Sequence, residues 1–146
     1  VDDHHIRYSH CTWNQLALMA ESGLVEVQNH SYNLHVTNQG QKGAMKTSSE
    51  SKSAYQYRLA EDLGLMQQRC QEYLHLTPTC FTYPFGYISK DALPVLKGMG
   101  FSAALTCEEK INYLTGDPEE LFHLKRFNRP HGTSLQQILA KINKSS

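Results

Sequence analysis

The chain has 146 residues, of which 40% are hydrophobic and 19% are charged, a composition typical of a globular domain. Its 14 basic and 14 acidic side chains balance to zero net charge, so neither a nucleic-acid-binding face nor an acidic tail is indicated. No apolar run approaches the ~20 residues that span a bilayer, and we identify no signal peptide. We therefore expect one domain, residues 1–146, with no nucleic-acid partner and no transmembrane segment.

The first half of the chain predicts two helices separated by a strand and a loop. Thr12 and Gln15 form a Thr-x-x-Gln capping box, and the helix that they open should end before Gly23. The apolar run Leu24–Val27 is typical of a buried strand. Residues 38–53 are rich in Gly, Ser, Gln and Lys and predict a surface loop, and a long amphipathic helix should follow over Ala54–Leu74.

The second half predicts three strands and two helices. Thr77-Pro78 ends the long helix, and Ser89 should cap a short helix that reaches Lys97. A turn is expected at Asp117-Pro118, and a Thr-x-x-Gln box should open the last helix. The predicted elements are strands Cys80–Tyr83, Phe101–Leu105 and Leu121–Phe127 and a final helix over Thr133–Ile142. Helices between successive strands require parallel pairing, so we predict the α/β class with right-handed crossovers.

Four cysteines, at positions 11, 70, 80 and 107, show no Cys-x-x-Cys spacing, so a zinc knuckle is not indicated. Cys70 falls on the apolar stripe of the long helix, together with Leu59, Leu63, Met66 and Tyr73. Cys80 adjoins a predicted strand. We expect both cysteines to act as small buried hydrophobic residues.

A histidine pair follows the first predicted strand. His30 and His35 lie five positions apart at the carboxyl end of Leu24–Val27, where two imidazole nitrogens can reach one divalent metal ion. The alternative is that either histidine is an ordinary surface residue, because the chain has eight. The run Phe81-Thr82-Tyr83-Pro84-Phe85-Gly86 then takes another strand into a turn.

Together and in this order, these motifs resemble the NodB-homology polysaccharide deacetylases, carbohydrate esterase family four. That family has a His-Ser/Thr-x-x-His metal motif, with a variant one residue longer that matches His30-Ser31-x-x-x-His35, and a loop often written Tyr-Pro-Phe-Gly. The family fold is a distorted (β/α) barrel of about seven strands. The resemblance therefore implies a partial (β/α) barrel that lacks the first strands, in a catalytic-type domain that is incomplete at its N-terminus.

The resemblance also implies a function and a location. It implies metal-dependent hydrolysis of N-acetyl or O-acetyl groups on a carbohydrate polymer, such as peptidoglycan, chitin-like glycans or poly-N-acetylglucosamine. The expected cofactor is a divalent metal, with zinc as the first choice, and the expected location is extracellular or in the cell envelope. A bound metal ion polarises the acetyl carbonyl and lowers the pKa of a bound water, roughly from 15.7 towards 7.

By the same resemblance, individual residues receive roles. His30 and His35 are expected to be metal ligands, and the Ser31 hydroxyl should orient their loop by bonding to backbone. The backbone N–H of Phe85 is the expected oxyanion donor, and Gly86 permits the turn that presents it.

The substrate is expected to contact Tyr83, Pro84, Phe85 and Gly86, with the rings of Tyr83 and Phe85 packing against a sugar. The family's second loop opens with an arginine that is missing here, because Phe81 and Thr82 occupy that part of the motif. Arg126 is a candidate to supply the guanidinium from a later strand, and a surface or interface role is its alternative.

Further departures from the family pattern concern its acid and base. The third metal ligand and the catalytic base are adjacent aspartates on the first strand, but Asp2-Asp3 follows no apolar strand and is better interpreted as a solvated terminus. For the general-acid histidine, His123 and His131 are candidates without a clear motif match. We therefore expect residues 1–146 alone to have little deacetylase activity.

Two functions remain open at this stage. The first is a zinc-dependent carbohydrate deacetylase, which we favour, and the second is a non-catalytic glycan-binding or interaction module of the same fold. Strand Leu24–Val27 should form an open sheet edge. We expect that edge either to pair with a second copy, giving a homodimer, or to be covered by His4–Cys11.

Overall fold

The structure, a computed structural model, describes residues 10–38 and 40–144. Within that part it has four α-helices and two short strands, joined by loops and three 3₁₀ segments. The helices are α1 (Trp13–Glu21), α2 (Lys52–Leu74), α3 (Leu93–Gly98) and α4 (Leu135–Lys144). The strands are β1 (Cys80–Thr82) and β2 (Ala103–Leu105), and the 3₁₀ segments are Pro84–Gly86, Lys90–Ala92 and Pro118–His123. No helix in the described ranges has the length and apolar character required to cross a membrane.

The sheet is built from β1 and β2, which pair in parallel with Phe81 opposite Ala104. One further residue pairs on each outer edge, because Asn29 bridges Phe81 and Leu124 bridges Leu105, both in parallel. Four segments therefore run side by side in one direction, and the predicted parallel pairing is confirmed for β1 and β2. The predicted partial barrel stays a prediction, since the described residues form two strands and two single bridges.

The predicted strand Leu24–Val27 is wrong. Its residues form no strand, and the side chains of Leu24 and Val25 are 89% and 41% exposed. Pairing with the sheet begins later, where the Asn29 N–H donates to the Cys80 carbonyl at 3.1 Å. One residue earlier, the Gln28 side chain accepts the Cys80 N–H at 2.7 Å. In a regular sheet a backbone carbonyl of the neighbouring strand would accept this N–H. The expected homodimer edge at Leu24–Val27 is therefore not formed, and residues 4–9 of the expected covering segment lie outside the described residues.

The predicted strand Leu121–Phe127 is also wrong for most of its length. Pro118–His123 is a 3₁₀ segment, and the Asp117 carboxylate caps it by accepting the Glu119 N–H at 2.9 Å. Only Leu124 pairs with the sheet: it donates to the Ala104 carbonyl and accepts the Thr106 N–H. The turn predicted at Asp117-Pro118 is thus the start of a 3₁₀ segment, which includes the first three residues of the expected strand.

The helices agree better with the sequence. Thr12 and Gln15 form the predicted capping box of α1, with each side chain accepting the other residue's backbone N–H. Helix α2 begins two residues before the predicted Ala54, because the Ser51 hydroxyl accepts the Ala54 N–H at 3.1 Å. The predicted cap of the final helix is wrong by one residue, since Ser134 and Gln137 form the reciprocal pair of bonds.

The apolar stripe of α2 provides much of the core. Leu59, Leu63 and Cys70 are buried, as the stripe predicts, and Leu59 and Leu63 pack in one cluster with Phe81 of β1. The predicted burial is wrong for Tyr73, which is 42% exposed and stacks on Trp13 of α1 with ring centroids 4.9 Å apart. The packing of α2 against β1 places the middle of α2 beside the end of the sheet where His30 lies.

Candidate metal centre and substrate site

His30 lies directly after the bridge at Asn29 and is half-buried. Its Nδ1 lies 2.7 Å from the carbonyl oxygen of Thr82, at the end of β1. A carbonyl only accepts, so Nδ1 carries a proton and the lone pair of Nε2 is left for a ligand. Burial lowers the pKa of His30; the bond to Thr82 raises it, and the charges of His35 and Arg126 lower it again. The net shift favours the neutral imidazole, which is the form that binds metals.

His35, at the other end of the loop, lies beside His30. The ring centroids of His30 and His35 lie 5.1 Å apart with an interplanar angle of 64°. The His35 ring also packs against Phe85, with centroids 4.0 Å apart. The pair predicted from sequence is therefore brought together, and the predicted Tyr-Pro-Phe-Gly turn lies against it.

The loop between the histidines begins in an unusual backbone conformation. Ser31 has φ +74°, in the left-handed region that non-glycine residues rarely adopt. Its N–H donates to the side-chain oxygen of Asn29 at 2.8 Å, and its hydroxyl accepts the Leu34 N–H at 3.2 Å. The prediction that the Ser31 hydroxyl bonds to the loop backbone is confirmed.

Asp62 of α2, which the sequence analysis missed, bonds to the same loop. Its two carboxylate oxygens accept the N–H groups of Tyr32 and Asn33, each at 2.8 Å. Asp62 is buried at 9% exposure. The signal that could have found it is its position three residues after Leu59 and directly before Leu63, because an aspartate on a buried stripe requires a polar partner.

The Tyr-Pro-Phe-Gly turn presents Phe85 in a strained conformation. Phe85 has φ +57° and ψ +7° inside a 3₁₀ segment, and its backbone N–H donates to none of the described residues. Gly86 has φ +71°, and a Cβ built there would lie 2.8 Å from the Cβ of Cys107. Gly86 therefore fits a backbone that runs against Cys107, and the Phe85 N–H is available as the predicted oxyanion donor.

The substrate contacts predicted for Tyr83 and Pro84 are wrong for their side chains. Tyr83 is 1% exposed, packs edge-on against Phe81 at 4.9 Å, and belongs to the core cluster; Pro84 is buried as well. Burial also raises the pKa of Tyr83. The exposed rings are instead Phe85, which packs against His35, and Tyr87, whose centroid lies 6.2 Å from that of Phe85; they are 41% and 38% exposed. The predicted contact with a sugar ring stays a prediction for Phe85, and Tyr87 was missed.

Arg126 faces the site from the bridge at Leu124. Its Nε donates to the Thr106 carbonyl at 2.9 Å, and its Nη2 lies 3.5 Å from the sulfur of Cys107. Arg126 and Cys107 line a pocket of about 400 Å³ together with Glu109, Phe127 and Asn128. The guanidinium lies beside Cys107, the residue that a Cβ at Gly86 would meet. Its charge contributes to lowering the pKa of His30, and its predicted role in the site stays a prediction.

The two remaining histidine candidates lie elsewhere. His123 lines a separate pocket of about 210 Å³ together with Tyr83 and Leu93. His131 is exposed in the loop before α4. The structure assigns neither one a contact with His30 or His35, and their predicted role as general acid stays a prediction.

The donor set fits a divalent metal in part. Two close imidazoles, one with its Nδ1 held by a backbone carbonyl, are typical of a metal-binding pair. Among residues 10–38 and 40–144, no group of three or more His, Cys, Asp or Glu side chains is arranged to hold a metal ion. Asp2-Asp3 lies outside the described residues. The described part of the chain thus offers two ligands and leaves the others to water or to other groups.

Comparison with known proteins identifies the family. A family model described as polysaccharide deacetylase matches residues 1–104, which include both histidines and the Tyr-Pro-Phe-Gly turn. The chain belongs to the polysaccharide deacetylase family. Poly-beta-1,6-N-acetyl-D-glucosamine N-deacetylase of Staphylococcus aureus (strain MSSA476) is 26% identical over 96 residues, which are 66% of this chain and 31% of that enzyme.

Solved structures of family members resemble the chain over most of its length. IcaB from Ammonifex degensii has a TM-score of 0.72 and 28% identity, covering 90% of this chain and 53% of its own. A de-N-acetylase from Aggregatibacter actinomycetemcomitans has a TM-score of 0.71 and 26% identity, covering 89% and 52%. The chain spans about half the length of these solved relatives and 31% of the curated one.

Proposed function

We propose that this member of the polysaccharide deacetylase family serves metal-dependent removal of N-acetyl groups from a carbohydrate polymer. Poly-N-acetylglucosamine is the first substrate to test, because the S. aureus relatives are named for it. O-acetyl groups and peptidoglycan or chitin-like polymers are further substrates of the same chemistry. The observation that carries the proposal is that His30 and His35 lie together beside Phe85, whose N–H donates to no group in the part of the chain that the structure describes.

In the proposed site, His30 and His35 hold the metal ion, with Nε2 as the ligand atom of His30. A bound divalent ion, for which zinc is our first choice, polarises the acetyl carbonyl and lowers the pKa of a bound water. The fixed carbonyl of Thr82 keeps the His30 ring in its orientation and tautomer.

The Tyr-Pro-Phe-Gly turn supplies a hydrogen-bond donor and an aromatic surface to the proposed site. Its N–H donates to the oxygen that becomes negative as water adds to the acetyl carbon, and the strained backbone keeps this donor in place before substrate binds. The exposed rings of Phe85 and Tyr87 offer an apolar surface for the face of a sugar ring. A polymer substrate would place the protein outside the cell or in the cell envelope.

A second candidate function is supported by the incomplete donor set. Among the described residues, no third ligand or carboxylate base accompanies His30 and His35. A protein without that base lacks the proton acceptor for the attacking water but keeps the aromatic surface that we propose for a sugar ring. For residues 1–146 alone we therefore predict little turnover, and the non-catalytic glycan-binding module is the alternative for the whole protein.

The test is acetate release from β-1,6-linked N-acetylglucosamine oligomers, measured on the product of the complete reading frame with added zinc. We expect turnover in the wild type and a loss of about 100-fold or more in His35→Ala, since one of two imidazole ligands is removed. His75→Asn is the matched control, because it removes an exposed histidine at the end of α2 that has no proposed role, and asparagine tolerates the left-handed backbone there, so activity should be kept. Oligomer binding without acetate release would reject the enzyme and support the binding module.

A further inference from the structure

In the loop between His30 and His35, every backbone N–H donates a hydrogen bond to a side chain. Its four N–H groups, from Ser31 to Leu34, all donate to side-chain oxygens. The outer two use acceptors within the loop region, Asn29 and Ser31. The inner two use Asp62, which lies about 30 residues away in the sequence and on a different element.

The same turn of α2 also holds the residue before His30. The Leu63 carbonyl, next to Asp62, accepts the side-chain NH₂ of Asn29 at 3.2 Å. Asn29 is fully buried and pairs with β1 through its backbone. Helix α2 therefore fixes the start of the loop through Leu63 and its middle through Asp62, and the position of His35 relative to His30 follows from both.

We propose that Asp62 is a positioning residue that sets the separation of His30 and His35 for their common ligand. A carboxylate suits this task because it has two acceptor oxygens and no donor, and Tyr32 and Asn33 present two adjacent donors. Asparagine at this position would keep one acceptor and turn an NH₂ group towards an N–H. The separation of the two imidazole rings in space therefore depends on a residue of α2.

This inference rests on the proposed metal-binding role of His30 and His35, so the experiment measures the loop and the metal separately. Three variants are compared with the wild type by amide hydrogen exchange and by NMR titration with Zn²⁺ alone. Asp62→Asn removes one acceptor of the pair. Glu61→Gln makes the same change of charge one residue earlier, at an exposed side chain that accepts from the Tyr57 hydroxyl. Cys70→Ala destabilises the buried face of the same helix at a residue outside the core cluster that contains Leu34 of the loop.

In Asp62→Asn we expect faster exchange at the Tyr32 and Asn33 amides. We also expect a Zn²⁺ affinity about 10- to 100-fold weaker, which is the size of effect known for groups that orient metal ligands. Glu61→Gln and Cys70→Ala should stay within about twofold of the wild type in Zn²⁺ affinity, because the first changes only a charge and the second only the stability of the fold. Zn²⁺ affinity in Asp62→Asn equal to that of the wild type overturns the proposal. An equal loss in Cys70→Ala also overturns it, because stability alone would then explain the effect.

A wild type that binds no Zn²⁺ rejects the proposed metal site but still allows a decision on Asp62. The contact between the His30 and His35 rings is then followed by their nuclear Overhauser effect. Loss of that signal in Asp62→Asn, with its retention in Glu61→Gln, supports the positioning role. Retention in Asp62→Asn overturns it.

Discussion

Gly86 is a position where a single methyl group should damage the candidate site. Replacing it by alanine keeps φ at +71°, where an L-residue costs about 1–2 kcal/mol relative to the right-handed region. The new Cβ would also lie 2.8 Å from the Cys107 Cβ and 2.9 Å from the Cys107 backbone nitrogen. Such overpacking costs about 1–3 kcal/mol. We therefore expect Gly86→Ala to lower the free energy of unfolding by about 2–5 kcal/mol.

The matched control is Gly23→Ala. Gly23 also has φ +71°, and a Cβ there meets no atom within 4 Å, so it carries the backbone cost without the clash. Denaturant unfolding followed by circular dichroism gives both free energies. The account predicts that Gly86→Ala is the more destabilising by about 1–3 kcal/mol. Equal values would refute the claim that close contact with Cys107, and not φ alone, requires glycine at position 86.

Two further predictions concern the stability of the fold at acidic pH and the reactivity of two cysteine thiols. The hydrogen bonds from Arg58 lower the pKa of Glu50 from 4.5 to about 2, so the stabilisation by this pair is present above pH 4.5 and is lost as the pH falls towards 2. At pH 7 the free energy of unfolding of Glu50→Gln should be about 1–3 kcal/mol lower than that of the wild type. This difference should vanish near pH 2, and a difference that does not change with pH would contradict the assignment. Cys70 is 1% exposed and burial raises its pKa, whereas Cys107 is exposed. A disulfide reagent should therefore modify Cys107 quickly and Cys70 only on unfolding, and comparable rates in the folded protein would show that Cys70 is accessible.

Local signals in the sequence predicted the helices well. The capping box at Thr12 and the apolar stripe of α2 depend on contacts within one element, and both are confirmed. The outer strands were wrong because their pairing depends on single residues far apart in the chain. Asn29 pairs with β1 and Leu124 with β2, while the apolar run Leu24–Val27 has no strand partner among the described residues.

The candidate site shows the same division. His30 and His35 could be chosen from their spacing and the accompanying Tyr-Pro-Phe-Gly turn, even though the strand thought to precede them is not formed. Asp62 could not be assigned to their loop, because its bonds to that loop join residues about 30 positions apart. Tyr83 was misjudged for a related reason: an aromatic residue in a turn motif can face the core or the solvent, and only the packing on Phe81 decides.

The measurement that tests the central claim most directly is anomalous scattering at the zinc edge from crystals of the chain grown with Zn²⁺. The account predicts one peak shared by His30 and His35, about 2.0–2.1 Å from a ring nitrogen of each. For His30 that nitrogen should be Nε2, with Nδ1 still bonded to the Thr82 carbonyl. Zinc bound at other residues, or two rings turned apart with no ion between them, would contradict the claim that these histidines form a metal site.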